Sequence, residues 1–382
     1  MPTVFVPKET RPGENRVAAT PETVKRMVAS GLALVVEAGA GAAARFGDAA
    51  YQAGGARLAG ADDHASGWSS AELVLKVQPP SEAEIERLRE GAVLVAIVTP
   101  SANLELVELL RERRVSTLAM DLIPRITRAQ SMDALSSQAT IAGYKAVLLA
   151  ATHLAKMCPL LMTAAGTVPP ARAVIFGAGV AGLQAIATAR RLGCVVEATD
   201  VRLAAKEQVA SLGARFIEVP GAADLEGAGG YAKEASEEFL RRQREEVAKR
   251  VAEADFVITT ALVPGKAAPR LVTEAMVRSM RPGSVIVDLA VESGGNCELS
   301  VPGQIVERHG VTLVGLTNLP ATVPQHASEL YAKNVLNLVK LFVAKDGALA
   351  TDFKDEVLAG CLLTHQGEVR HGPTAERLSA KA

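Results

Sequence analysis

The sequence predicts an α/β protein of two domains, each built on a parallel sheet. Three observations carry this reading. The chain has 382 residues, enough for two cores when one domain usually takes about 100–200. Short apolar runs alternate with segments of helical period, the pattern of successive β-α units that lay down parallel strands. The alternation also starts afresh after Val168, Pro169 and Pro170.

In the first stretch the strand runs are TVFV, LALVVEAG, AELVLKV, AVLVAIV and VSTLAMDL, with helices from PETVKRMVAS, SEAEIERLRE and NLELVELLRERR. The run IAGYKAVLLAATHLAKMCPLLM includes Lys145, His153 and Lys156, which favours a buried linker helix over a membrane span. The second stretch reads ARAVIF, a helix to Gly193, CVVEATD, AKEQVASLG, ARFIEV, a long helical region to Ala254, FVITT, VTEAMVRSM, SVIVDLA and VTLVGL. SELYAKNVLNLVKLFVAK, at 328–345, has apolar residues at helical spacing and can carry the chain back to the first domain. GCLLTHQGEVRHG then reads as a short hairpin, and the last residues as loose. The expected domains are 1–135 with about 328–382, and 136–327 including the linker helix.

Composition excludes several classes of function. Lysine plus arginine (41) nearly balance aspartate plus glutamate (42), so there is no basic field for nucleic acid. Aromatics are 3%, too few for stacking platforms. Cys158, Cys194, Cys297 and Cys361 form no CxxC pair, so neither a zinc site nor a redox couple is expected, and a reducing compartment fits. The start MPTVFVPKET lacks a basic segment followed by an apolar one, so no signal peptide is expected.

The strongest motif is ARAVIFGAGVAGLQAIATARRLGCVVEATD. Gly177, Gly179 and Gly182 form GxGxxG between a predicted strand and a predicted helix that opens at Val180 and Ala181. The first glycine permits the tight turn, the second lets a pyrophosphate approach the backbone, and the third lets helix and strand pack closely. The phosphates would lie on the helix N-terminus, where unpaired amides and the dipole favour negative charge. Asp200 ends the next strand, where an acid accepts from the adenine-ribose hydroxyls and repels a 2′-phosphate, favouring NAD over NADP. Arg202 could hold a phosphate, but beside Asp200 it reads as a surface arginine. Gly39 and Gly41 in VVEAGAGAAARFG also follow a strand, yet no long helix and no suitably spaced acid come after them; that stretch reads as a turn.

Oxidation of an amino or hydroxy acid couples hydride transfer to removal of a proton, usually by histidine. His64 reads as a surface-loop residue, His153 as part of the linker helix, and His309, His326, His365 and His371 as loop or tail residues, none with an obvious carboxylate partner. Hydride passing between two nicotinamides needs no base, only orientation and exclusion of water.

The motifs PKETRPGENRVAATPETV, PRITRAQSMDALSSQ, IAGYKAV, TAAGTVPPARAVIFGAGVAGLQAIATARRLG, ATDVR, KEQVASLGA, GYAKE, TTALVPGKAAP, GSVIVDLAVESGGNCE and PGQIV resemble the NAD(H)-binding alpha subunit of proton-translocating NAD(P) transhydrogenase. The likeness runs from the N-terminus to about residue 340. It implies two Rossmann-like domains with parallel sheets, joined by long helices with a cleft between them, and NAD(H) on the second. It further implies a homodimer, a membrane-spanning proton-conducting subunit, and a partner component carrying NADP(H), to which hydride passes directly. A cytoplasmic location, peripheral on the inner face of the cell membrane, goes with that assembly.

On the same resemblance, Arg125, Gln130, Asp133 and Ser136 hold the nicotinamide ribose and carboxamide, and Tyr231 belongs to a mobile loop that closes over the nucleotide. Val180, Ala181, Val201, Arg202, Ala261 and Leu262 join the three glycines and Asp200 as cofactor-binding positions; Arg128 has no assignment. The rival is alanine dehydrogenase, whose substrate-binding positions match Arg16 and Lys76. Its catalytic histidine, however, is missing after the AVLVAIV strand, where the chain reads AIVTPSANL, and Glu292 stands where that enzyme has aspartate before SGG. Arg16 and Lys76 are then structural remnants. A non-catalytic NAD-sensing module is the third reading.

Overall fold

The computed structural model describes residues 1–60, 63–218, 237–262, 266–344 and 347–381. Tyr231 and the Gly-rich segment before it lie outside them. Two compact units divide the chain, one of residues 1–138 and 321–382, the other of 139–320.

In chain order the first unit opens with β1 (Thr3–Val6), α1 (Pro21–Ala29), β2 (Ala33–Glu37), α2 (Asp48–Ala53), β3 (Arg57–Ala59), α3 (His64–Ser70), β4 (Leu73–Leu75), α4 (Glu82–Arg87), β5 (Val93–Ala96), α5 (Leu104–Glu112) and β6 (Ser116–Ala119). Helix α6 (Ala134–His153) follows, and the units divide within it. The second unit then runs β7 (Leu161–Thr163), β8 (Gly166–Val168), β9 (Arg172–Phe176), α7 (Val180–Arg191), β10 (Val195–Thr199), α8 (Ala205–Ser211), β11 (Arg215–Phe216), α9 (Glu237–Glu253), β12 (Phe256–Thr259), α10 (Glu274–Ser279), β13 (Val285–Asp288), β14 (Ile305–Arg308) and β15 (Val311–Val314). The chain closes with α11 (Pro324–Val339), α12 (Glu356–Cys361), β16 (Leu362–His365), β17 (Glu368–Val369) and α13 (Gly372–Lys381).

Among the described residues the first unit has an eight-stranded sheet in the order β17-β16-β6-β5-β4-β1-β2-β3. Its strands from β3 to β6 are parallel, and β16 adds antiparallel to β6. The second unit has a seven-stranded sheet, β11-β10-β9-β12-β13-β15-β14, antiparallel only at β14. Both are Rossmann-like: each begins on a central strand, β1 or β9, and the strand order reverses beside it. In such sheets ligands bind outside the carboxyl ends of the strands at this reversal.

Local chemistry explains the elements. Strands β4, β5, β12 and β13 are buried along their whole length, so their apolar runs do not alternate, as expected where helices cover both faces. Capping boxes at Thr20 with Thr23, and at Ser81 with Glu84, start α1 and α4, each satisfying amides that the helix itself leaves unbonded.

Four elements depart from expectation. Helix α6 stops at His153, and residues 161–168 of the supposed linker helix form a separate two-stranded hairpin; Pro159 cannot continue a helix, and a short apolar run reads equally well as strand. Helix α11 begins at Pro324, earlier than 328, because proline is preorganised for the first turn, and it ends at Val339 rather than 345. The tail is not loose: α13 packs Leu378 against a cluster of Val98, Val107, Ala119 and Leu363. His64 lies at the start of α3 rather than in a loop. No helix among the described residues is long and apolar enough to cross a membrane.

Candidate functional site

At the carboxyl end of β9 the chain turns through Gly177, whose φ of +92° only glycine adopts easily. A Cβ on Gly177 would also meet the Thr260 hydroxyl at 2.4 Å. Gly182 faces backbone: its Cβ would lie 1.8 Å from the Gly177 carbonyl oxygen. Gly143 on α6 has the same constraint against the Ala181 carbonyl, at 2.1 Å, so α6 crosses the first turn of α7 in direct backbone contact. Gly179 is different. It caps α7 with φ −76° and ψ −169°, no side chain caps the helix, and a Cβ there would meet nothing within 4 Å. The first turn of α7 holds no acidic residue, and Val180 beside it is exposed. These amides and this open approach fit a dinucleotide pyrophosphate.

Asp200, just past β10, is drawn back onto the same turn. Its Oδ2 accepts the Ala178 N–H at 2.7 Å and Nη2 of Arg202 at 2.9 Å, while Oδ1 accepts the Arg202 N–H and Nε, both at 2.9 Å. Burial alone would raise the carboxyl pKa, but the Arg202 and Ala178 bonds outweigh it and hold it below the usual carboxylate value. Arg202 is therefore not a surface arginine: its side chain is 18% exposed and ion-paired to Asp200. Val201 between them is half-buried.

The neighbouring strand ends complete the arrangement. After β12, the Thr260 hydroxyl donates to the Phe176 carbonyl at 2.9 Å. Ala261 is held at both backbone groups by Asn296, whose Oδ1 accepts its N–H at 3.0 Å and whose Nδ2 donates to its carbonyl at 2.9 Å and to Pro269 at 2.8 Å. Leu262 follows, 47% exposed. At the end of β13 the buried Asp288 accepts from the Thr259 hydroxyl and the amides of Ala290 and Cys297. Asn296 and Asp288 escape a motif-based reading; the only signal for them is a polar residue ending a buried strand and another after a Gly-Gly pair. Gly177, Gly179, Val180, Ala181, Gly182, Asp200, Val201, Arg202, Ala261 and Leu262 thus share one unit, next to the reversal between β9 and β12.

Arg125, Gln130, Asp133 and Ser136 belong to the other unit, and the segment is less a loop than expected. Residues Thr127–Met132 form a 3-10 helix, and α6 begins at Ala134. Arg125 and Gln130 are exposed; Asp133 and Ser136 are half-buried. Asp133 caps α6, accepting the Ser136 N–H at 2.9 Å and its hydroxyl at 2.6 Å. The Ser131 carbonyl accepts Asn334 and Asn337 of α11, which fastens the segment in place. Arg128, unassigned by sequence, pairs bidentately with Asp355, the N-cap of α12, at 2.8 and 2.6 Å.

Arg16 and Lys76 are buried beside the reversal of the first sheet, after β1 and β4. Arg16 donates to both Glu14 oxygens, at 2.8 and 2.6 Å, and to Gln138 at 2.8 Å; Lys76 lies 3.3 Å from Glu9 and 3.1 Å from Glu84. Burial would raise the Glu14 carboxyl, but Arg16 outweighs it and brings the pKa down to about 2. Burial raises Glu9 despite Lys76. Both cations are engaged by the chain's own carboxylates.

The turn after β5, where a catalytic histidine would stand in alanine dehydrogenase, is built by Asp121, which accepts the amides of Val98 and Thr99 at 2.8 and 2.9 Å. His309 does have a carboxylate partner, Glu274 at 3.1 Å, contrary to expectation. It precedes β15 beside Gly283 and Gly310, at the amino ends of the parallel strands and away from the GxGxxG turn. His326 lies on α11 and His365 on β16, not in loops.

Family models for the N-terminal and C-terminal domains of alanine dehydrogenase/PNT match residues 5–142 and 146–372. The chain belongs to the alanine dehydrogenase/PNT family. Within that family it is 52% identical to an NAD(P) transhydrogenase subunit alpha, in its separate first segment, of Rhodospirillum rubrum, over 96% of this chain and 97% of that one. Identity to the alanine dehydrogenase of Bacillus subtilis is 31%, over 98% and 94%. A solved transhydrogenase from Sinorhizobium meliloti superposes with a TM-score of 0.88 at 49% identity, covering 96% of this chain and 99% of that chain.

Proposed function

We propose that this member of the alanine dehydrogenase/PNT family is the NAD(H)-binding subunit of a proton-translocating NAD(P) transhydrogenase. The observation that carries the reading is the 52% identity, end to end, to the Rhodospirillum rubrum transhydrogenase alpha chain, joined to a GxGxxG turn whose helix N-terminus is uncapped and open. In this reading the α7 amides bind the pyrophosphate, Asp200 the adenine ribose, and Ala261 and Leu262 the nicotinamide end. Arg125, Gln130, Asp133 and Ser136 orient the ring, with Tyr231 closing over it.

The bound nicotinamide supplies or accepts a hydride, and the other nicotinamide is on a partner component that carries NADP(H). No proton has to leave a substrate nitrogen or oxygen, which suits a turn after β5 that lacks histidine. What the residues contribute is orientation and exclusion of water. Proton translocation belongs to a membrane-spanning partner, and this chain sits at the inner face of the cell membrane beside it.

A homodimer completes the proposal. The β7-β8 hairpin pairs with neither large sheet, and it and its approach expose Met157, Leu160 and Met162 at 50, 55 and 77%. Apolar side chains so exposed on an arm mark an interaction surface, and sedimentation of the purified chain tests it.

The functional test is reconstitution. Mixed with the NADP(H)-binding component, the chain should transfer hydride from NADH to an NADP analogue. No transfer would defeat the proposal, and alanine-dependent reduction of NAD would replace it with amino-acid oxidation.

A further inference from the structure

We propose that Asp200 selects NAD(H) over NADP(H) by sequestering Arg202, so that the two residues form a specificity switch; this rests on reading the α7 turn as a nucleotide site. A carboxylate offers about four lone-pair positions, and all four on Asp200 are filled: two on Oδ1 by the Arg202 N–H and Nε, two on Oδ2 by Arg202 Nη2 and the Ala178 N–H. The two backbone donors are fixed by the turn. A ribose hydroxyl can therefore bond Asp200 only by taking the place of a guanidinium N–H, an exchange of one donor for another.

A 2′-phosphate has no such exchange to offer. It brings acceptors to an acceptor, and the guanidinium that would welcome it is already neutralised. The pair as a whole is neutral, so discrimination comes from Arg202 being held rather than from bare negative charge. Freed of Asp200, the guanidinium would be a planar, permanently charged donor set suited to a phosphate, two residues from the ribose position.

Calorimetry with NADH, NADPH, 5′-AMP and 2′-phospho-5′-AMP tests this on the full chain. Asp200→Asn keeps an oxygen for the Ala178 amide but loses the charge; Asp200→Ser does the same with a smaller side chain and serves if the first variant melts early. Either should bind NADPH and 2′-phospho-5′-AMP at least ten-fold more tightly than the parent, and NADH more weakly. Adding Arg202→Ala should abolish the gain, and Arg202→Ala alone should give none. A parent that binds NADH, with an aspartate variant that gains nothing for NADPH, or a gain that survives Arg202→Ala, overturns the switch alone. A parent that binds neither NADH nor 5′-AMP overturns the nucleotide reading along with it.

Discussion

Two glycines of one motif should fail in different ways. In Gly182→Ala the new methyl would sit 1.8 Å from the Gly177 carbonyl oxygen, where the obstacle is backbone and cannot rotate away. Overpacking of this kind costs about 1–3 kcal/mol or more, against a total of roughly 5–15 kcal/mol for a folded protein. In Gly179→Ala the methyl meets nothing within 4 Å, and a φ of −76° with extended ψ is open to alanine. Loss of glycine at this N-cap should cost about 1 kcal/mol or less. The methyl does, however, occupy the approach to the α7 amides, and NADH affinity should fall at least about ten-fold, equivalent to 1.4 kcal/mol. Urea unfolding and NADH titration on both variants separate the effects. Gly182→Ala should lose stability, with binding falling as a consequence; Gly179→Ala should lose binding with its unfolding midpoint almost unchanged. Full NADH affinity in a stable Gly179→Ala protein would refute a pyrophosphate at this turn.

Gln130→Asn should slow hydride transfer far more than it weakens NADH binding, because an exposed side chain shortened by one carbon alters ring placement and not phosphate anchoring; equal losses in single-turnover rate and affinity would contradict an orienting role. Asp133→Ala removes the α6 cap and should cost about 0.5–2 kcal/mol in urea unfolding, whereas Asp133→Asn, which can still cap, should keep most of that stability, so any transfer defect it shows reports on the cofactor. Stability should also fall on acidification. The Glu14 pKa drops from 4.5 unfolded to about 2 folded, so its stabilisation is complete above pH 4.5 and lost as pH falls from there toward 2, about 3 kcal/mol in all. Glu14→Gln should be weaker at neutral pH, leaving Arg16 buried with its main counterion gone, and should lack that part of the acid decline; unfolding curves across this range check both.

The legible parts of the molecule are those imposed by local backbone demands. GxGxxG can be read because Gly177 must turn and Gly182 must touch backbone, and the β-α alternation because parallel strands buried on both faces are apolar throughout. The pairing of Asp200 with Arg202 is not legible, since two residues at that spacing can point anywhere until the turn draws the carboxylate onto the Ala178 amide. Nor is the partner of Arg128, which lies 227 residues away. The 161–168 hairpin is lost inside an apolar run whose period does not distinguish helix from strand. Asp288 and Asn296 stay hidden because each is a single polar residue whose work is to hold backbone near the site.

The most direct measurement follows the hydride itself. The chain, the NADP(H)-binding component and an NADP analogue would be mixed with NADH deuterated on one face of C4, and the products examined by mass spectrometry. Direct transfer between two oriented rings predicts that the label from one of the two faces arrives intact on the analogue, without loss to water and without any added amino acid. Label appearing in solvent, or transfer only when alanine is supplied, would contradict the account.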